Sequence, residues 1–152
     1  MEILASIDDI NAELPSQDEA PLPVIEANEE NTNLIQVSIA RVVRGYLSSA
    51  VDSVTLMSWD TPDDTPEIIR VIAAKFIAAQ LYFNYAARTS LTIDVRNFAQ
   101  LRYDEAMAIL NGILEGTILL GPEVEVETAS LELTDGFPVD DTDRAFTMGM
   151  EL

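Results

Sequence analysis

The sequence predicts an all-α protein, a small bundle of three to four main helices with an extended arm at each end of the chain. Two observations lead to this prediction. Residues 33–116 of the 152-residue chain carry apolar residues at helical spacing, with short connections between segments. Residues 1–32 and 117–152 are strongly acidic, a composition typical of linkers and arms. We therefore divide the chain into an N-terminal arm, a helical body and a C-terminal arm.

The N-terminal segment contains one short predicted helix. Ser6 and Asp9 resemble a capping box that opens a helix ending near Leu14. Pro15 stops this helix, and residues 15–32 contain three prolines and dense acid. We expect that stretch to be an arm that becomes ordered on contact with a partner.

The body begins with an amphipathic helix over residues 33–47. Its expected core face consists of the apolar residues at positions i, i+4, i+7 and i+11: Ile35, Ile39, Val42 and Tyr46. Two arginines, Arg41 and Arg44, point the other way. A shorter helix is predicted over residues 49–58. A turn with two prolines, residues 59–66, then leads into the next helix.

The central helix, residues 65–88, dominates the prediction. Thr65 is its expected N-cap and Pro66 its first helical residue. About 22 residues follow without a helix breaker, and they are apolar almost all the way round. Because an 84-residue body buries only a modest core, we expect identical copies to supply the missing cover for this helix.

The last predicted helix starts at Asp94 as N-cap and ends before Gly116, a residue suited to the C′ position. Its apolar face consists of Phe98, Ala106, Ile109, Leu110 and Ile113. Residues 117–152 then alternate apolar and polar residues, which predicts short β-strand segments. Apolar residues of this arm have no local partner and are candidate anchors for another chain: Val124, Val126, Leu131, Leu133, Phe137, Phe146, Met148 and Met150.

The net charge of −19 is spread unevenly along the chain. Residues 1–32 carry nine acids and no base, whereas residues 33–116 carry nine acids and seven bases. Residues 117–152 carry nine acids and one arginine. Because no basic stripe is present, binding to nucleic acid through its phosphates is not expected. Acidic arms fit a basic protein partner or a surface that must not adhere to DNA.

Residue types exclude most catalytic chemistry. The chain has no Cys and no His, which removes thiolate nucleophiles, disulfides, histidine bases and the usual zinc or copper sites. Two clusters of aspartates, at residues 60–64 and 140–143, lack the Gly and Glu that a calcium loop needs. No phosphate-binding glycine loop or nucleophile elbow is present. We therefore predict that the chain is not an enzyme and has no cofactor and no metal.

The sequence predicts neither a signal peptide nor a membrane-spanning helix. The start of the chain lacks the basic and long apolar regions of a signal peptide. Lys75 lies in the middle of the central helix, and Gln80 and Asn84 follow it, so we do not expect that helix to span a membrane.

Lys75 and Arg102 lie among apolar neighbours on their predicted helices, and two interpretations stay open. Each side chain reaches the rim of the bundle, or each pairs with a carboxylate across a subunit boundary. The second interpretation, taken together with the apolar surface of the central helix, gives six candidate subunit-interface residues: Arg70, Lys75, Phe76, Tyr82, Arg88 and Arg102.

Three patterns in the body carry a family resemblance. They are the TPE entry to the central helix, the AAQLYFN run at residues 78–84 and the YDEAMAILNGILEG ending at residues 103–116. Over about residues 30–118 the chain resembles the head–tail connector (adaptor) proteins of long-tailed bacteriophages.

The resemblance implies a virion protein that forms a ring, typically of twelve copies, beneath the portal protein. Such a ring extends the DNA channel, lets DNA pass without specific binding and presents a platform for a downstream stopper or tail-terminator protein. The expected location is the head–tail neck of the virion, and the host cytoplasm during assembly. By the same resemblance, the C-terminal arm reaches the portal or a neighbouring subunit. The acidic N-terminal arm lines the channel or faces outward.

A second hypothesis from another class is an acidic DNA mimic that inhibits a host DNA-binding protein. That function needs carboxylates spread over the folded body in an array like that of a duplex. In this chain they concentrate in the arms instead.

Overall fold

The computed structural model describes residues 2–15, 22–88 and 93–120 of the chain. This part consists of five α-helices and one short 3-10 turn, Pro62–Asp64, between the third and fourth helices. The prediction of an all-α protein is confirmed for the described residues. The predicted strand segments of the C-terminal arm lie outside them. The helices are α1 (Ile7–Glu13), α2 (Glu29–Leu47), α3 (Ser53–Ser58), α4 (Glu67–Arg88) and α5 (Ile93–Leu114).

The helix α4 lies at the centre of the fold. It packs most extensively against α5 and also contacts α1 and α2. The Tyr82 ring meets Phe98 of α5 edge-on at 4.7 Å between centroids, and Phe76 meets Tyr103 in the same way at 5.3 Å. Half of the residues of α4 are buried within the single chain: Ile69, Ile72, Ala73, Ala74, Phe76, Ile77, Ala78, Ala79, Leu81, Tyr82 and Ala86. The expectation that α4 needs neighbouring copies for its cover is therefore wrong.

Part of that cover comes from the N-terminal segment. Leu4 and Ile10 are fully buried in the core next to α4. Asn11 fixes the returning chain, because its side chain accepts a hydrogen bond from the Ala27 amide at 2.8 Å and donates to the Ala27 carbonyl at 3.3 Å. Residues 2–15 thus belong to the body, contrary to the expectation of an arm. The acidic composition of residues 1–32 led to the prediction of an arm, although the short helix in this segment has an apolar face that can pack on the body.

The helix α2 begins at Glu29, four residues before the predicted start. Asn28 is the N-cap, and its side chain accepts a hydrogen bond from the Asn31 amide at 3.1 Å. The Asn31 side chain in turn accepts from the Asn28 amide at 3.0 Å. This pair satisfies two backbone donors reciprocally, as the Ser–Glu capping box does. The all-asparagine version was not recognised in the sequence.

The starts of α3 and α4 also differ from the prediction. Asp52 caps α3 by accepting hydrogen bonds from the Thr55 amide and hydroxyl at 2.9 and 2.8 Å. These bonds hold the pKa of Asp52 below its ordinary value of 3.8. The helix therefore opens at Ser53, not at residue 49. The first amides of α4, those of Ile69 and Arg70, donate to the Pro66 carbonyl, so the helix starts at Glu67, one residue later than predicted. The Thr65 hydroxyl donates to the Thr61 carbonyl at 2.7 Å.

The end of α5 follows the sequence prediction. Gly116 has a positive φ of 81°, the left-handed conformation expected at C′. Its amide donates to the Ile113 carbonyl at 3.1 Å, and the Thr117 amide donates to the Gly112 carbonyl at 2.9 Å, which is a Schellman motif. Asp94 lies in the first turn instead of at the N-cap. The predicted face is confirmed, since Ile109 is half-buried and the others are buried: Phe98, Ala106, Leu110 and Ile113.

The orientation of α2 is the largest departure from the prediction. Its buried residues are Thr32, Gln36, Ala40, Val43 and Leu47. Gln36 is tolerated in the core because its side-chain amide donates to the Ala5 carbonyl at 2.9 Å. At 100° per residue, the observed core face lies about 90° around the helix from the predicted one. The predicted face stays half-buried or exposed, and we call it the α2 stripe: Ile35, Ile39, Val42 and Tyr46.

Two neighbouring valines test this orientation. Val43→Ala should lower the free energy of unfolding by about 2 kcal/mol, because a fully buried side chain is truncated. Val42→Ala should change it by less than about 0.5 kcal/mol, because Val42 is 43% exposed and alanine favours the helix. Urea unfolding followed by circular dichroism at low protein concentration measures both values. A larger loss at Val42 than at Val43 would show that the sequence-predicted face is the core face.

Candidate interaction surfaces

A cluster of four charges joins three helices on one side of the bundle. Lys75 of α4 donates to the Glu13 carboxylate of α1 at 2.7 Å and to the Glu105 carboxylate of α5 at 3.0 Å. Arg102 of α5 donates to the same Glu105 oxygen at 2.8 Å. The side chains of Lys75, Glu13 and Arg102 are largely withdrawn from solvent. Two cations thus meet two carboxylates, and the cluster has no net charge.

Arg102 has further partners that fix it in the fold. Its Nε donates to the backbone carbonyl of Glu13 at 3.0 Å, at the end of α1. Its guanidinium also lies 5.0 Å from the centre of the Phe98 ring. Since Lys75 and Arg102 find their carboxylates within one chain, the interpretation that pairs them across a subunit boundary does not hold. They tie α1 to the α4–α5 pair instead.

The cluster changes the acidity of one of its carboxyls. Burial of Glu105 raises its pKa, but hydrogen bonds from Lys75 and Arg102 and the positive charges of both lower it more. The pKa of Glu105 therefore lies below its ordinary value of 4.5. The Glu105 carboxylate is consequently ionised whenever the cluster is intact at neutral pH.

The other interface candidates from the sequence have different fates. Phe76 and Tyr82 are buried inside the chain and offer no surface to another copy. Arg70 lies at the α1 side of α4, where its Nη1 donates to the Pro62 carbonyl at 3.2 Å and its Nε lies 3.8 Å from the Asp9 carboxylate. Arg88 is exposed at the end of α4. The arm candidates lie outside the described residues: Val124, Val126, Leu131, Leu133, Phe137, Phe146, Met148 and Met150.

Two apolar patches remain at the surface of the helical body. One is the α2 stripe, in which Val42 and Tyr46 are 43% and 42% exposed. The other is on α3, where Val54 and Met57 are 77% and 78% exposed. We call these two residues the α3 pair. Exposed apolar side chains that gather on a helix face are typical of protein–protein contact sites.

The α3 pair is held away from the α2 stripe. Arg44 donates hydrogen bonds to the Leu56 carbonyl at 3.3 Å and to the Trp59 carbonyl, and so anchors α3. On a helical projection Arg44 lies about 170° from the middle of the stripe. The helix α3, which carries the pair, therefore lies on the side of α2 away from the stripe. The sequence did not reveal this, because the predicted core face of α2 was the stripe itself.

Two grooves run between α4 and α5. The first is mainly apolar and is lined by Glu67, Ile68, Val71, Ile109, Leu119 and Leu120. The second, which we call the Arg96 groove, has an apolar floor from α4 and a polar wall from α5: Phe83, Ala86, Ala87, Arg96, Asn97 and Gln100. Neither groove was identified from the sequence, since both depend on how the two helices pair.

The described residues offer little for metal or membrane chemistry. Within residues 2–15, 22–88 and 93–120, no group of three or more acidic, histidine or cysteine residues is placed to hold a metal ion. None of the described helices combines the length and the apolar character needed to cross a membrane. The surfaces with a chemistry to interpret are thus the two apolar patches and the Arg96 groove.

Comparison of the chain with protein-family models, with curated proteins and with solved structures found no match.

Removing the shared cation should destabilise the fold. Lys75→Met leaves the Glu13 and Glu105 carboxylates close together with only Arg102 between them, and it should lower the free energy of unfolding by about 1–3 kcal/mol. The control Arg41→Met, at an exposed arginine of α2, should change it by less than about 0.5 kcal/mol. Chemical denaturation at neutral pH measures both. Equal values for the two variants would contradict a structural role of the cluster.

The lowered pKa of Glu105 predicts a pH dependence of stability. The carboxylate contributes stability that is fully present above its unfolded pKa, ordinarily 4.5, and is lost as the pH falls through the lower folded pKa. Glu105→Gln removes this contribution. The difference in unfolding free energy between wild type and variant should be constant well above pH 4.5 and shrink below it. A difference that grows towards acid pH would mean that the folded pKa is raised, not lowered.

Proposed function

We propose that this chain is a structural virion protein, a head–tail adaptor that forms a homo-oligomeric ring between the portal and the tail of a long-tailed bacteriophage. The observation that carries the proposal beyond the family resemblance is the α2 stripe. Ile35 and Ile39 of the stripe pack partly against the core, whereas Val42 and Tyr46 leave apolar area in water that contact with another chain would cover. The small helical body is also the fold that the resemblance implies.

Ring formation needs two different patches on each copy. In a closed ring every contact is heterologous, so one surface of a subunit meets a different surface of the next. The α2 stripe and the α3 pair are two such apolar surfaces, and α3 lies on the side of α2 away from the stripe. We infer that the stripe of one copy packs on or near the α3 pair of its neighbour. This arrangement leaves the buried core of each copy unchanged.

The charge distribution supports a role around DNA without binding to it. The four innermost cations of the body, Lys75, Arg102, Arg70 and Arg44, are engaged with groups of the same chain. The remaining surface of a chain with a net charge of −19 is acidic overall. A channel lined by such a surface repels the phosphate backbone and lets DNA slide through. Portal protein above and a stopper or tail-terminator protein below are the proposed partners.

Assembly on portal rings tests the proposal. The purified chain is mixed with portal rings of the same phage, and native mass spectrometry counts the copies bound per ring. We expect a complete ring on each portal, about twelve copies by the family resemblance. Val42→Glu places a charge in the α2 stripe and should reduce the bound copies strongly. Asn33→Glu, which adds the same charge on another side of α2, should leave the count unchanged.

A chain that never joins portal at any concentration would overturn the proposal. Equal counts for Val42→Glu and Asn33→Glu would remove the α2 stripe from the assembly and leave only the resemblance. Capture of a host DNA-binding protein by the chain, with no binding to portal, would favour the DNA-mimic hypothesis in its place.

A further inference from the structure

The basic side chains of this acidic protein fall into two groups. In the described part of the chain, Lys75, Arg102, Arg70 and Arg44 each contact a carboxylate or a backbone carbonyl. The other group consists of three exposed arginines, on α2, α4 and α5: Arg41, Arg88 and Arg96. No carboxylate of the described residues lies within ion-pair distance of these three. An exposed guanidinium without an acidic partner keeps its donors available for the carboxylate of another segment or chain.

Of the three, Arg96 is set in a groove with a defined shape. It lines the Arg96 groove together with Asn97 and Gln100 on the α5 wall and an apolar floor from α4. The groove thus offers an arginine and two amide side chains beside an apolar strip. A segment that presents both carboxylates and small apolar side chains complements such a surface.

The chain itself contains a segment with that chemistry. Residues 121–143 carry eight acids and no base, and they include the alternating run EVEVET at residues 123–128. The apolar residues of this segment have no partner nearby in the sequence. Fully extended, 23 residues span up to about 75 Å, whereas α5 with its 22 residues is about 33 Å long. The segment, which starts just after Leu120, is therefore long enough to reach the Arg96 groove of its own copy or of an adjacent one.

We propose that the acidic segment 121–143 docks in the Arg96 groove, with a carboxylate on Arg96 and apolar side chains on the floor of Phe83, Ala86 and Ala87. Charge complementarity selects this segment as the occupant. Nucleic acid, another common anion for arginine, would have to approach a chain with a net charge of −19. The inference is independent of the proposed ring, since docking within one copy satisfies the same contacts.

Carbodiimide crosslinking of the full-length chain tests the docking, because Lys75 is its single lysine. The reagent joins an amine to a carboxylate that contacts it, so Arg96→Lys introduces one new reporter amine at the groove and keeps the charge. Arg41→Lys serves as the matched control on α2. The native contacts of Lys75 with Glu13 and Glu105 supply an internal positive control in every sample. Mass spectrometry of the digested protein identifies the crosslinked pairs.

Arg96→Lys should yield crosslinks from position 96 to acids of residues 121–143, several-fold more abundant than those from position 41 in Arg41→Lys. High salt should reduce them several-fold, because the contacts are exposed to solvent. A mixture of isotope-labelled and unlabelled chains tells whether the segment comes from the same copy or a neighbour, and either origin supports the docking. Comparable crosslinks from positions 41 and 96, or none to residues 121–143, would overturn the inference. Crosslinks at position 96 that duplex DNA competes away would likewise overturn it in favour of nucleic acid.

Discussion

The need to cover α4 shapes the rest of this molecule. A 22-residue helix that is apolar on nearly every side cannot lie at the edge of a bundle, so other elements must surround it. The helix α5 takes the largest share, and α1 and α2 take two further sides. Residues 22–28, which precede α2, also reach α4, where the Tyr82 hydroxyl donates to the Pro23 carbonyl at 2.5 Å. Folding of the N-terminal segment onto α4 is thus a condition of the core.

The charged residue inside α4 explains why this packing is specific. Lys75 lies among apolar neighbours, and burial without partners would be costly. Glu13 and Glu105 meet it from α1 and α5, and Arg102 completes the cluster. Apolar packing alone permits α1 to slide along α4, whereas this cluster fixes its position. Because Lys75 and Arg102 pair within one chain, α4 does not need a second copy, and the α2 stripe is the surface that we propose for assembly.

Local signals in the sequence predicted most of the elements, and long-range contacts account for the failures. The capping box at Ser6, the apolar face of α5 and the positive φ of Gly116 depend on neighbours within a few residues, and these predictions are confirmed. The turned face of α2 depends on Gln36 meeting the carbonyl of Ala5, 31 residues away. Of the cluster partners, Glu105 stands three residues after Arg102 and was visible in principle. Glu13, 62 residues before Lys75, was not.

One copy buries α4 within its own fold, and we propose that the α2 stripe contacts another chain. Amide hydrogen exchange read by mass spectrometry tests both statements. The isolated chain is compared with the chain assembled on portal rings. The amides of α4 should exchange slowly in the isolated chain, and assembly should not change their exchange. New protection on assembly should be confined to α2 and α3. Rapid exchange of α4 in the isolated chain, with protection gained only on assembly, would contradict the burial of α4 within one copy.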